Sequence, residues 1–295
     1  PNTTLVSPVY MPTEAAHPGR RRSEMEHLIV PIDGSRTSWN AAGVAVNVAR
    51  EIDGRVDLVE FVPDQRNESD ARTRLERGLE GLDAGDVPVS IEVDVTTDSI
   101  ARALAKRLNG SEDGLVMMAS HGRGRSAAVV GSVTEDFLVR EYGPVVVVGP
   151  ALTDTTRMVS GGPVLITVDS SHESETVLSL GVAWAIEFGL TPWIIEVLSP
   201  DLPGDVHIPE SSYVSRLATD MRKATGHDVE FEVLHSHHVA AEVVEYAASV
   251  GASMIVASTH GRTGMNRLAM GSTAAGFVRH APCPVVLARP PQLVD

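Results

Sequence analysis

The chain of 295 residues repeats itself, and this duplication constrains the fold more than any other feature. Ser120-His121-Gly122 opens a glycine-rich stretch that closes at Gly131-Ser132. Thr259-His260-Gly261 opens a second stretch that closes at Gly271-Ser272. Each copy is long enough to bury a hydrophobic core of its own, so we expect two domains.

The spacing between partner residues changes along the repeat. Asp33 and Asp169, which each follow a short apolar run, lie 136 positions apart, whereas His121 and His260 lie 139 apart. The copies therefore differ by small insertions, one of them inside the glycine-rich stretch. We divide the chain into a loose tail, a first domain, a linker and a second domain, at residues 1–25, 26–151, 152–162 and 163–295.

In both copies short apolar runs alternate with stretches of helical periodicity, for example a helix predicted over Glu173–Glu187. Most of the runs are apolar at every position, which indicates strands of a parallel sheet covered on both sides. The predicted fold class is α/β, with two tandem Rossmann-like or flavodoxin-like domains, each a five-stranded parallel sheet with helices on both faces. Ligands of such sheets bind at the carboxyl ends of the strands, where both aspartates and both glycine-rich stretches belong.

The second glycine-rich stretch has the features of an anion-binding loop. Gly261 and Gly271 permit positive φ and a close approach of the backbone, so that N–H groups converge on an anion. Ser272 stands where a helix N-cap belongs, and the helix terminus adds free amides. A phosphate suits this arrangement, although glycines after a strand are also common as turn residues.

Two nucleotide-binding motifs are excluded. A Walker A loop requires Gly-Lys-Ser/Thr, which does not follow these glycines. The dinucleotide fingerprint requires a third glycine after the first strand of the domain, whereas Gly122-Arg123-Gly124 follows the fourth strand.

The pattern resembles the universal stress protein family in tandem form. The resemblance rests on the aspartate after strand 1, the x-His-Gly turn after strand 4, the later Gly-Ser pair and the apolar final strand after proline, and it covers the chain from about Glu26 onward. It implies binding of ATP, or of AMP or ADP, with or without Mg. In the family the loop holds ribose and phosphates, while the aspartate and the backbone after strand 2 hold adenine.

Carried over by position, the resemblance implies one set of site residues in each copy. In the second copy these are Asp169, Leu198, Ser258, Gly261, Gly271, Ser272 and Thr273. In the first copy they are Asp33, Val62, Ala119, Gly122, Gly131, Ser132 and Val133. Ala119 and Ser258 stand where the family has glycine, and the first loop is one residue shorter than the second. We therefore expect the second copy to be the stronger site.

Other polar features have competing interpretations. Each aspartate either binds the ligand or caps the helix that follows it. His121 and His260 lack a recurring acidic partner or nucleophile, so a hydrogen bond that shapes the loop is favoured over catalysis. His235-Ser236-His237-His238 resembles a metal-binding tract but has no counterpart in the first copy, which favours loop or helix-start histidines. We predict no catalytic residues and no metal site.

Composition narrows the class of protein. A formal charge of −15 disfavours a nucleic-acid binder, and the basic run Arg20-Arg21-Arg22 is interpreted as part of a solvated tail. Cys283 is the sole cysteine, between two prolines at a strand entry, where a buried inert thiol is favoured over a nucleophile. No apolar run approaches the roughly 18–20 residues of a membrane span, and the start lacks a signal-peptide pattern. We expect a cytoplasmic protein.

The favoured function is an adenine-nucleotide-binding sensor or regulator of a stress response. Slow nucleotide hydrolysis or phosphotransfer is the enzymatic alternative, and an interaction protein without nucleotide is the third.

Each copy ends in an apolar strand, Val145–Val148 or Val285–Leu287, that the fold leaves at a sheet edge, where pairing is favoured. We expect the two copies to pair as an intrachain pseudo-dimer, with a further homodimer.

Overall fold

The computed structural model describes residues 26–111, 113–122, 130–140, 143–201, 209–260 and 270–290. The first copy contains β1 (His27–Pro31), α1 (Arg36–Ile52), β2 (Arg55–Val62), α2 (Glu68–Glu80), β3 (Val89–Val95), α3 (Ile100–Asn109), β4 (Gly114–Ala119), α4 (Ser132–Arg140) and β5 (Val145–Val148). The second contains β6 (Val164–Val168), α5 (His172–Glu175), α6 (Leu178–Glu187), β7 (Pro192–Leu198), α7 (Ser212–Thr225), β8 (Glu230–His235), α8 (Val239–Ser249), β9 (Met254–Ser258), α9 (Ser272–His280) and β10 (Val285–Ala288).

The strands form a single ten-stranded sheet in the order β3-β2-β1-β4-β5-β10-β9-β6-β7-β8. Within each copy every neighbouring pair is parallel, which confirms the predicted α/β class with five parallel strands per copy. The copies meet at β5 and β10, which pair antiparallel with Val146 opposite Val286. The two apolar edges therefore cover each other inside one chain.

The hydrophobic core lies in two layers, one on each face of the sheet. Alternation of side chains along β5 sends Val146 and Val148 into one layer and Val145 and Val147 into the other. Both layers include residues of both copies. The sheet is therefore buried on both faces across the seam between the copies.

The segment between the copies is packed against the first one. Leu152 and Met158 are buried, and the amides of Asn40 and Asn47 on α1 donate hydrogen bonds to the carbonyls of Leu152 and Thr155. This part of the predicted linker is therefore fixed to α1.

The predicted helix over Glu173–Glu187 is wrong in one respect. The structure divides it into α5 and α6, with a break at residues 176–177. The hydroxyl of Thr176 donates to the carbonyl oxygen of Glu173 at 2.7 Å. Thr73 and Thr219 make similar hydroxyl-to-carbonyl bonds inside the uninterrupted helices α2 and α7, so this contact accompanies the break without explaining it.

Candidate functional site

The sheet order reverses direction at β1 in the first copy, because β2 lies on one side of it and β4 on the other. The crevice at the carboxyl ends of β1 and β4 is thus the expected ligand position. Asp33 is the second residue after β1, and Ser120 comes directly after β4. The fold therefore brings together the two sequence features that the duplication singled out.

The aspartate after the first strand shapes the turn into the next helix. Ser35 donates its N–H to Asp33 Oδ1 at 2.9 Å, while the hydroxyl of Ser35 accepts from Ser38 N at 3.1 Å and is the N-cap of α1. The second copy repeats this, with Ser171 N 3.1 Å from Asp169 Oδ1 and Ser171 as the N-cap of α5. The serines are therefore the caps, and each aspartate orients its capping serine.

The residue after each aspartate adopts the left-handed conformation. Gly34 has φ +77°, and Ser170 at the same position of the second copy has φ +64°. A serine is strained there, and its hydroxyl donates to the buried carboxylate of Glu196 at 2.7 Å. The turn is thus conserved between the copies even where glycine is not.

The Gly-Ser pair that precedes each final helix docks onto the end of the fourth strand. Gly131 N donates to Ser120 O at 2.7 Å, and Gly271 N donates to Thr259 O at 2.9 Å. A Cβ at Gly131 or at Gly271 would lie 3.3 or 3.2 Å from the same carbonyl oxygen. Close backbone approach therefore explains both glycines.

Two details predicted for the second loop are wrong. Gly271 has φ −58°, so it does not use positive φ, and it is itself the N-cap residue of α9. Ser272 is the first residue of that helix rather than its cap, as Ser132 is the first residue of α4. Both serines remain at helix N-termini, where backbone amides lack intrahelical acceptors and attract anions.

The loop histidines are held by the hydroxyl of the preceding residue. His121 Nδ1 lies 3.0 Å from Ser120 Oγ, and His260 Nδ1 lies 2.9 Å from Thr259 Oγ1. This confirms the hydrogen bond that we favoured over catalysis. The Nε2 atom of His260 is buried and has no hydrogen-bond partner within the described ranges.

A cavity of about 390 Å³ opens at this end of the first copy. It is lined by six of the seven residues that the resemblance implies for that copy: Asp33, Ala119, Gly122, Gly131, Ser132 and Val133. Val62, the seventh, is buried at the end of β2 and does not line the cavity, whereas Phe61 does. A Cβ at Gly122 would lie 2.3 Å from Asp33 Oδ2, so glycine allows the loop to approach the carboxylate.

A buried glutamate in the middle of β2 also lines this cavity and was missed. Glu60 is only 8% exposed and pairs with the guanidinium of Arg74 on α2. Glu196 occupies the equivalent position on β7 and is 3% exposed. A glutamate that recurs 136 positions apart in two predicted strands was the available sequence signal.

In the second copy the structure places most of the implied residues at the same rim. Leu198 ends β7, and Ser258 ends β9 with its hydroxyl accepting from His260 N at 3.3 Å. Asp169 follows β6, and Ser272 and Thr273 begin α9. Gly261 lies outside the described residues, as does the rest of the loop up to residue 269.

A tyrosine beside the second site is held by a glutamate. Tyr213 at the start of α7 donates its hydroxyl to Glu175 Oε1 at 2.9 Å. Burial, together with this hydrogen bond and the charges of Glu175, Glu196 and Asp169, raises the pKa of Tyr213. The phenol therefore stays protonated, and it gives the second copy a hydroxyl group near Asp169 and Glu196.

The histidine tract lies at the end of β8 and the start of α8. His235 Nε2 contacts Glu210 Oε2 at 2.9 Å, and His237 Nε2 lies 3.7 Å from Asp201 Oδ2, with all four side chains largely exposed. No group of three His, Cys, Asp or Glu residues in the described part of the chain is arranged to hold a metal ion. His235 and His237 therefore each lie beside a single carboxylate at the protein surface.

The profile of the Universal stress protein family matches residues 24–149 and again residues 162–289. The chain belongs to the universal stress protein family. The duplication recognised in the sequence is thus a tandem of two family domains, and the resemblance is confirmed. In the described part of the chain, no helix combines the length and the apolar character needed to cross a membrane.

Individual relatives agree with this assignment. The chain is 40% identical to universal stress protein MJ0531 of Methanocaldococcus jannaschii over 51 residues, which cover 17% of this chain and 30% of that protein. It is 26% identical over 151 residues to the Staphylococcus epidermidis protein SERP1273, whose name places it in the same family, covering 47% of this chain and 90% of that one. Its fold is similar to a universal stress protein from Archaeoglobus fulgidus, with a TM-score of 0.65 and 16% identity over 90% of this chain and 98% of that one.

Proposed function

We propose that this tandem universal stress protein binds an adenine nucleotide at the carboxyl ends of its strands and acts as a nucleotide-dependent sensor or regulator. The observation that carries the proposal is the cavity of about 390 Å³ in the first copy. Its volume falls within the range of small-molecule sites, roughly 300–1,000 Å³. The carboxylate of Asp33 and the start of helix α4 at Gly131-Ser132 both line this cavity.

The two ends of a nucleotide would meet complementary groups in this cavity. Phe61, Ile100 and Met118 supply apolar surface for a base, and Asp33 supplies a hydrogen-bond acceptor. The N-terminus of α4 supplies free amides and partial positive charge for phosphates. Glu135 in the first turn of α4 competes for that charge, which supports weaker binding here than in the second copy.

The second copy is proposed to bind in the same way, through Asp169, Ser258, Gly271 and Ser272. Its first helical turn on α9 carries no acidic residue. It keeps the longer loop spacing that the family uses, so we propose it as the tighter of the two sites.

Calorimetric titration with ATP, with GTP as the competing purine, tests this proposal. Gly122→Ala should weaken binding in the first copy at least tenfold, since the new Cβ would lie 2.3 Å from Asp33 Oδ2. Gly271→Val should weaken the second site through its contact with Thr259 O. Gly143→Ala is the matched control, because a Cβ there has no atom within 4 Å. The assignment would be overturned if the wild-type chain did not bind ATP. It would also be overturned if both site variants bound ATP with the affinity of the wild type.

A further inference from the structure

A second polar cluster lies at the opposite, amino end of the first copy's strands. His27 Nδ1 lies 2.9 Å from Ser111 Oγ, and His27 Nε2 lies 2.6 Å from Asp57 Oδ2. The three side chains thus form a continuous serine–histidine–aspartate chain of hydrogen bonds. This is the arrangement that activates a serine hydroxyl for nucleophilic attack.

The sheet register creates this chain. His27 begins β1, and Asp57 lies on the neighbouring β2, opposite Ile29, so the two side chains project from the same face. Ser111 follows the end of α3, in the turn that leads to β4. Residues separated by 84 positions in the sequence therefore meet at 2.9 Å.

Surrounding residues fix the aspartate as an anion. Ser90 donates its hydroxyl to Asp57 Oδ1 at 2.6 Å, and Arg107 Nη2 lies 3.5 Å from Asp57 Oδ2. Burial raises the pKa of Asp57, but the hydrogen bonds from Ser90 and His27 and the nearby positive charge outweigh it and hold the pKa below its usual value. An ionised Asp57 requires a proton on His27 Nε2, and in the neutral ring this leaves the Nδ1 lone pair facing Ser111.

The second copy shows that the fold does not require this cluster. The positions of His27 and Asp57, 136 residues later, hold Pro163 and Trp193, and the position of Arg107, 139 residues later, holds Tyr246. Trp193 and Tyr246 pack with ring centroids 6.2 Å apart. An aromatic pair fills the same space, so the hydrogen-bonded network is a feature of the first copy alone.

The cluster borders a cavity of about 460 Å³ lined by His27, Arg55, Arg107, Gly110, Ser111 and Asp113. Arg107 Nε is buried and has no hydrogen-bond partner among the described residues. An unpaired buried donor of this kind is uncommon in native proteins and calls for an explanation. The guanidinium groups of Arg55 and Arg107 line the same cavity, where Arg55 pairs with Asp113 and Arg107 pairs with Glu92 and Asp57.

We propose that Ser111, His27 and Asp57 form a hydrolytic site for small carboxylic esters. Ser111 Oγ attacks the ester carbonyl carbon while its proton passes to His27 Nδ1, and the positive charge of Arg107 and Arg55 stabilises the oxyanion. The carbon–oxygen ester bond breaks, and the leaving alkoxide takes the proton from His27. Water then attacks the acyl–Ser111 ester with His27 as base, which releases the carboxylic acid and regenerates the serine. Asp57 is the positioning residue.

Asp113 competes for the serine proton, since Ser111 Oγ lies 3.0 Å from Asp113 Oδ1. Arg55 Nη1, 3.6 Å from Asp113 Oδ2, partly neutralises that carboxylate. A hydroxyl donates one hydrogen bond at a time, so removal of Asp113 leaves His27 as the acceptor. Asp113→Asn should therefore increase the hydrolytic rate, and a lower rate would contradict His27 as the acceptor of the serine proton.

Labelling with a fluorophosphonate probe, followed by peptide mass spectrometry, tests the nucleophile. The probe should modify Ser111 in the wild-type chain, and Ser111→Ala should abolish the adduct. Ser249→Ala, at the carboxyl end of α8 in the second copy, should be labelled like the wild type. No adduct, or an adduct at Ser120 beside His121, would overturn the proposal.

Hydrolysis of p-nitrophenyl acetate tests the remaining roles. His27→Gln should lower the rate about 100-fold or more, the usual contribution of a general base. Asp57→Asn should lower kcat with little change in KM, because the imidazole loses the carboxylate that fixes its tautomer and orientation while the cavity that binds the ester is unchanged. Rates within twofold of the wild type in both variants, with native circular dichroism, would contradict a catalytic cluster.

Discussion

The seam between β5 and β10 should make the two copies unfold as one cooperative unit. Val146 and Val286 are opposite each other across this seam, and both are fully buried. Each also belongs to the core layer that spans both copies. Loss of packing at the seam therefore removes contacts from both copies at once.

The magnitude for Val286→Ala follows from the removed groups. Two methyl groups leave a fully buried position, which costs about 1.6 kcal/mol at ~0.8 kcal/mol per group. A residual cavity of roughly 40 Å³ adds about 1 kcal/mol at ~24 cal/mol per Å³. The free energy of unfolding should fall by about 2.5 kcal/mol, which lowers the urea midpoint by about 0.8 M for an m-value of ~3 kcal/mol/M.

Tryptophan fluorescence separates the two copies in this assay. Trp39 reports the first copy in a background where both other tryptophans are phenylalanine, and Trp184 and Trp193 report the second in a Trp39→Phe background. Val286→Ala should lower both midpoints equally. Val95→Ala on the β3 edge, where the side chain is 39% exposed, is the control and should change stability by about 0.5 kcal/mol or less. An unchanged Trp39 midpoint beside a lowered second-copy midpoint would refute the coupling.

Two further predictions concern titratable groups. Burial raises the pKa of Cys283 to about 12, so the native thiol should react with a disulfide reagent at pH 8 only after denaturant unfolds the chain; rapid labelling of the native protein would contradict this. The folded-state pKa of Asp57 lies below 3.8, so its contribution to stability is present above that unfolded-state value and is lost as the pH falls through the folded pKa. Asp57→Asn should cost roughly 1.5–3 kcal/mol at pH 7 and progressively less as the pH falls through the folded pKa, and a cost that does not change with pH in urea titrations would count against the charged cluster.

The elements that the sequence predicted best are bounded by strong local signals. Val145–Val148 was predicted with its observed limits, because it is a continuous apolar run that begins after a proline. The break between α5 and α6 was missed, since residues 176–177 are Thr-Val and no glycine or proline marks an end to the helical pattern there.

The candidate nucleotide site was predictable to within one residue. Asp33, Gly122 and Gly131 line the same cavity because parallel strands direct their carboxyl ends to one rim. Phe61 lines it in place of Val62, since a shift of one residue along a strand sends the side chain to the other face. Ser272 is the first residue of α9, one position after the N-cap Gly271.

The amino-end cluster could not be predicted, because no local pattern joins His27, Asp57 and Ser111. Their contact depends on the register of β1 against β2 and on the turn after α3, and both are features of the tertiary structure. The comparison between copies is informative only after those positions are matched in space. Duplicated domains therefore carry an internal control that a single domain lacks.

The two proposed sites of the first copy share β1 and β2 but should act independently. His27 and Asp33 lie six positions apart at opposite ends of β1, which corresponds to roughly 20 Å at ~3.3 Å per residue. This separation exceeds the screening length of about 8 Å in physiological salt, although buried charges are screened less. The strand between them is fully buried at Leu28, Ile29 and Val30, so it resists displacement. Among the described residues, the shared strand β1 therefore provides neither a short electrostatic path nor a loosely packed segment through which nucleotide at one end would alter the serine at the other.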